Sequence, residues 1–184
     1  MSLRNRLWHM TALMPLWLAS PPSRVVVLPV DLNDVSNQPV PPELRERLGM
    51  LTEALSSRLQ TACGYAVIRP SQSGDGAGDA RPGYLYAHPD VAIGFARPAS
   101  AEWVIIPRLN RASPWVTDLQ AHVVRTRDST VVSNRIVEVK GIELTPELGA
   151  RLVDRGAAWM ADQISQAIEY ASARTRPAGR RCPA

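Results

Sequence analysis

The sequence predicts an α/β (α+β) domain, a single mixed β-sheet of about five strands packed against two long helices. Three patterns carry that prediction. Val25-Val26-Val27-Leu28 and Val104-Ile105-Ile106 are unbroken apolar runs, as in strands buried on both faces. Leu44, Leu48, Leu51, Leu55, Leu59 and Ala62 recur at steps of three and four, as do Leu152, Gly156, Met160, Ile164, Ile168 and Ala171. Leu119, Ala121 and Val123 alternate with Gln120 and His122, the signature of a strand with one buried face.

In chain order, residues 24–30 read as a central strand, and Asp31 to Pro42 as a polar loop rich in proline. Pro42 then opens a helix, with Glu43 and Glu46 near its positive end, and Gly64 stops it. Tyr65 to Arg69 is a short strand, so strand, helix and strand form a crossover unit. Residues 70–87 read as a loop, and Pro89 to Ala96 as a short helix with Val91, Ala92 and Phe95 inward. Trp103 to Leu109 is a second central strand. Val116 to Arg125 and Val131 to Lys140 pair across the turn Arg127–Thr130, with His122 on the solvent side. Thr145 caps the last helix, Pro146 begins it, and Gly156 lets it approach the sheet.

Flanking segments set the expected compartment. Arg4 and Arg6 precede the apolar run Leu7–Ala19 and the small residues Ser20, Pro21, Pro22 and Ser23. That order is expected of a signal peptide over residues 1–20, too short to span a bilayer, which needs about twenty apolar residues. Residues 24–172 then form one domain, and 173–184 a disordered basic tail. The expected location is periplasmic, with no transmembrane span once the signal is removed.

The pI near 9.6 points toward nucleic acid only at first sight. Arg4 and Arg6 lie in the leader and Arg174, Arg176, Arg180 and Arg181 in the tail, while every acidic residue lies between Asp31 and Glu169. The body is therefore slightly acidic, and a nucleic-acid-binding body loses its support.

Candidate chemistry is sparse. Gly74 to Asp79 lacks the spacing of a phosphate or calcium loop. His9, His88 and His122 form no HExxH pair, and no GxSxG elbow appears. Asp31 and Asp34 sit where Asp commonly caps turn amides. Cys63 reads as a buried thiol on the helix's apolar side, or as half of a disulfide with Cys182, and neither residue belongs to a metal pattern. No catalytic residue, metal or cofactor is expected. The one dense constellation is Arg108-Leu109-Asn110-Arg111-Ala112-Ser113-Pro114-Trp115 at a strand exit. Arg108, Asn110, Arg111 and Trp115 are the candidate partner-binding residues, because Arg and Trp commonly anchor interfaces.

From Val25 onward the phrasing resembles a family of exported bacterial proteins of unknown function. It shares the fold of the amino-terminal domain of TolB and of CsgG-like and LpoB-like envelope proteins. The resemblance lies in Val-Val-Val-Leu-Pro-Val, in Leu51 to Leu59 followed by Gly64-Tyr65-Ala66-Val67-Ile68, in Ala101 to Ile106, and in Arg155-Gly156-Ala157-Ala158-Trp159-Met160. It departs at His88-Pro89-Asp90 and at Pro107, where relatives have a Cys-containing segment and a glycine. The resemblance implies a TolB-amino-terminal-like fold and a non-catalytic periplasmic accessory or assembly protein that binds another envelope protein. The alternative is a periplasmic small-ligand-binding protein using the Arg108–Trp115 loop.

Overall fold

The computed structural model describes residues 21–70, 83–139 and 145–173; the expected signal peptide and the expected basic tail beyond Ala173, itself the last residue of a helix, lie outside them. The strands are β1 (Arg24–Val27), β2 (Asp31–Asp34), β3 (Ala66–Ile68), β4 (Trp103–Arg111), β5 (Thr117–Arg125) and β6 (Thr130–Glu138). The helices are α1 (Pro42–Thr61), α2 (Tyr84–Ala87), α3 (Pro89–Ala92) with a 3₁₀ turn at Ile93–Phe95, and α4 (Pro146–Ala173).

All six strands form one mixed sheet in the order β3-β1-β4-β5-β6, with β2 also paired to β4. β4 is its axis. On one edge β4 takes β1 and then β2 in parallel, and on the other it takes β5 antiparallel, with Ile106 opposite His122 and Arg111 opposite Thr117. β2 corrects the expected loop at Asp31, and the sheet has six strands against about five expected. The break between β1 and β2 has a chemical cause. Leu28 N still donates to Ile105 O at 3.0 Å, Pro29 has no N–H to offer, and Val30 N turns to Thr52 Oγ1 of α1 at 2.9 Å.

One face of the sheet is covered by both long helices. Leu44, Leu51, Leu55 and Leu59 of α1 and Val153, Met160, Ile164 and Ile168 of α4 bury against Val25, Ile105, Leu119 and Val123. α1 ends where glycine permits it, Gly64 standing at φ +72° while Tyr65 N returns to Leu59 O at 3.1 Å. Gly156 meets its expectation, since a Cβ there would lie 3.1 Å from Val139 Cγ2. Cys63 is disulfide-bonded, so the free-thiol reading is withdrawn; the other cysteine of the chain, Cys182, lies outside the described residues.

The opposite face carries a second core under the short helices, where Tyr86, Ala92, Ile93 and Ala96 pack on Val26, Val104, Ile106 and Val124. α2 occupies the end of the expected 70–87 loop. Val91 is exposed and Ile93 takes the inward place, because the helix breaks into a 3₁₀ turn after Ala92 and shifts the phase.

Candidate functional site

Beyond Pro107 the side chains of β4 alternate between two environments, with Leu109 still in the core. Alternation places Arg108 and Asn110 on the face of the short helices, and Leu109 and Arg111 on the face of α1 and α4. The four residues singled out in the sequence are therefore not brought together.

Arg111 is interior, 1% exposed, which corrects its place on a partner-binding surface. Its Nη1 donates to Asp34 Oδ2 at 2.8 Å, to Ser36 Oγ at 2.6 Å and to Gln38 O at 3.2 Å, while Nη2 lies 3.5 Å from Pro39 O. Asp34 Oδ1 accepts from both the backbone N–H and the hydroxyl of Ser36, at 2.9 and 2.6 Å. Burial would raise the Asp34 pKa, but the Ser36 hydrogen bonds and the Arg111 guanidinium outweigh it and hold the carboxyl below its ordinary value. The guanidinium thus fastens the segment joining β2 to α1 onto the end of β4.

Above this clamp lies an apolar rim. Val35 N donates to Arg111 O at 3.0 Å, and Ala112 N to Val116 O at 3.0 Å, so both flanking segments are pinned to the strand end. Ser113 Oγ accepts from Trp115 N at 3.2 Å and Val116 N at 3.1 Å, closing the 112–116 turn. Trp115 is 64% exposed, Val35 60% and Val116 43%. Trp115 is in solvent just beyond the exit of β4.

Arg108 and Asn110 belong to the other face. Asn110 Oδ1 accepts from Asn33 Nδ2 at 2.7 Å across the β2–β4 pair. Arg108 Nε donates to Gln120 Oε1 at 2.9 Å, and its guanidinium carbon sits 3.6 Å from the centre of the Tyr86 ring. Tyr86 OH donates to Asn134 Oδ1 at 2.9 Å, and its ring stacks on His122 with centres 3.8 Å apart. His122 is half-buried beneath Tyr86, not solvent-facing, and its buried Nδ1 has no hydrogen-bond partner. Burial and then the Arg108 charge lower its pKa, partly opposed by a hydrogen bond to the Tyr86 backbone. Sequence reading missed Tyr86, Gln120 and Asn134. The available signal was the hairpin register, which sets Arg108 opposite Gln120 and His122 opposite Asn134 on one face.

At the other end of the sheet, where α4 finishes, lies a cleft of about 650 Å³ walled by Glu102, Trp103, Arg125, Thr126, Arg127 and Ser172 among others. Trp103 Nε1 and Thr126 Oγ1 are buried without hydrogen-bond partners.

These features define the class: a mixed α+β domain whose sheet lies between two long helices and a layer of short ones. Residues 23–163 match the family DUF3280, described as "Protein of unknown function (DUF2380)", and the chain belongs to that family. No curated protein matches the sequence. Among solved structures, the hypothetical protein CT253 from Chlamydia trachomatis aligns with a TM-score of 0.50 at 15% identity, over 78% of this chain and 99% of that one. That likeness is one of fold. The LpoB C-terminal domain from Salmonella enterica aligns with a TM-score of 0.44 at 18% identity, over 66% of this chain and 85% of that one. TolB from Acinetobacter baumannii aligns with a TM-score of 0.47 at 10% identity, over 80% of this chain and 28% of TolB. Among the described residues, no helix is long and apolar enough to cross a membrane.

Proposed function

We propose that this is an exported, non-catalytic accessory protein of the bacterial envelope, which docks another envelope protein on the rim at the end of β4. The observation that supports it most is Trp115, 64% exposed beside Val35 and Val116 on a strand end that buried Arg111 holds rigid. Trp, with Tyr and Arg, is among the residue types most enriched as interface anchors. The charged leader and apolar run before Ser20 support export.

Capture of partners from a native envelope extract tests this, with proteins identified by mass spectrometry. One protein retained by the wild type should be lost from Trp115→Ala, whose thermal unfolding should match the wild type. Retention of the same protein by folded Trp115→Ala removes the rim from the account.

A second reading, small-ligand binding, is favoured by the cleft at the opposite end and by the unpaired Trp103 Nε1 and Thr126 Oγ1 of its wall. It moves the ligand away from the Arg108–Trp115 loop, whose side chains diverge. A thermal-shift screen distinguishes the two, since a cleft ligand should stabilise Trp115→Ala as well as the wild type.

A further inference from the structure

Tyr86 is the buried side chain by which α2 grips the sheet, with Leu85 partly buried against the same core, and the partners of Tyr86 come from three strands. Arg108 of β4 lies over the ring, His122 of β5 stacks on it, and Asn134 of β6 accepts from its hydroxyl. The rest of the short-helix layer is held differently. Ala92, Ile93 and Ala96 bury against Val26, Val104, Ile106 and Val124, an apolar contact with no titratable group. α2 is thus a polar latch at the end of an apolar hinge.

We propose that His122 makes this latch acid-labile: taking up a proton at Nδ1 releases Tyr86 and α2 from the sheet and uncovers Arg108, Gln120 and Asn134, while Ala92–Ala96 stay docked.

The hydrogen bond of His122 to the Tyr86 backbone favours the protonated ring, but burial and the Arg108 charge outweigh it. Nδ1 is buried with no acceptor, so a new N–H there would be unsatisfied. A second cation would also enter the face that already holds Arg108. The other charged and titratable groups on that face or in its cover are Asp31, which pairs with Arg108 and accepts from Gly83 N at the start of α2, Asp118 and Glu138 on the other strands, and Tyr84, His88 and Asp90 on the short helices. Asp118 and Glu138 face each other four residue pairs along the strands from His122 and Asn134. His88 packs against Tyr84 with ring centres 4.4 Å apart, away from the Tyr86 stack. The sign follows from linkage. Burial and Arg108 lower the proton affinity of docked His122, so the released state binds the proton more tightly and acid favours release. Each pKa unit of difference between the two states changes the docked-to-released ratio about tenfold.

The test is an NMR titration of the whole protein from pH 7.5 to 5.0. The Tyr86 ring resonances, displaced by the stack, should move toward free-tyrosine values with the same midpoint as the His122 ring. The methyl resonances of Ala92 and Ile93 should stay in place. His122→Phe, which keeps a ring but takes no proton, should hold Tyr86 docked throughout, and His88→Gln should titrate like the wild type. Tyr86 resonances that do not move while His122 titrates would overturn the proposal. So would movement that persists in His122→Phe or disappears in His88→Gln. The wild-type titration decides the matter even if a variant fails to fold.

Discussion

Burying the Arg111 guanidinium costs desolvation, which its oxygen partners on Asp34, Ser36, Gln38 and Pro39 offset. Removing one side of such a pair leaves the other charge uncompensated. Arg111→Ala should therefore lower stability by about 3–5 kcal/mol in urea unfolding, whereas exposed Trp115→Ala should change it by less than about 0.5 kcal/mol. The pair also makes a pH prediction. Asp34 has its pKa lowered by folding, so its contribution is full above the unfolded value of 3.8 and is lost as pH falls through the folded value. Wild-type stability should fall toward that of Asp34→Asn in the window beneath pH 3.8, because the unfolded state takes the proton first. Parallel curves for the two proteins across that window would contradict the assignment. Residue 111 also shows a legible signal that composition obscured. It shares the parity of buried Leu109, so strand alternation already placed it inside.

The long elements were legible because their periodicity is long enough to be unambiguous. α1 and α4 bury the residues that their three-and-four spacing selects, and β4 and β5 follow their apolar run and alternation. What escaped was short. β2 is four half-buried polar residues, Asp31–Asp34, and is a strand only because β4 offers a parallel edge there. α2 is a single turn entered from Gly83 at φ +79°, too short for any period to show. His122 was put on the correct face, but alternation does not say that Tyr86 covers it. The packing of the long helices makes two predictions at this scale. Leu55→Ala should lose about 2–5 kcal/mol by leaving a cavity against the sheet. Gly156→Leu should lose about 1–3 kcal/mol by forcing Val139 aside. Gly156→Ala should be milder, because the 3.1 Å contact is with the tip of a side chain and alanine favours the helix. A Gly156→Leu protein as stable as the wild type would mean that α4 does not lie as close to Val139 as described.

For the whole molecule, the disulfide at Cys63 makes stability sensitive to reductant. Reductant should lower the free energy of unfolding by about 2–5 kcal/mol, as removal of a native bridge in a small domain does. Cys63→Ser should reproduce that loss and be insensitive to reductant; equal stability with and without reductant would show the bridge to be energetically idle. Such a bridge suits an oxidising compartment and so agrees with the proposed export. The fold, the clamp and the rim then form one chain of causes. The sheet carries β4 out between β2 and β5, Arg111 fastens the β2–α1 segment there, Ser113 closes the following turn, and Trp115 is exposed on it. Site-specific photo-crosslinking in living cells tests that chain most directly, with a benzoylphenylalanine replacing Trp115 and, as control, exposed Glu46 on α1. The account predicts a covalent adduct to one envelope protein from position 115 and none from position 46. No adduct from position 115, or the same adducts from both, would contradict it.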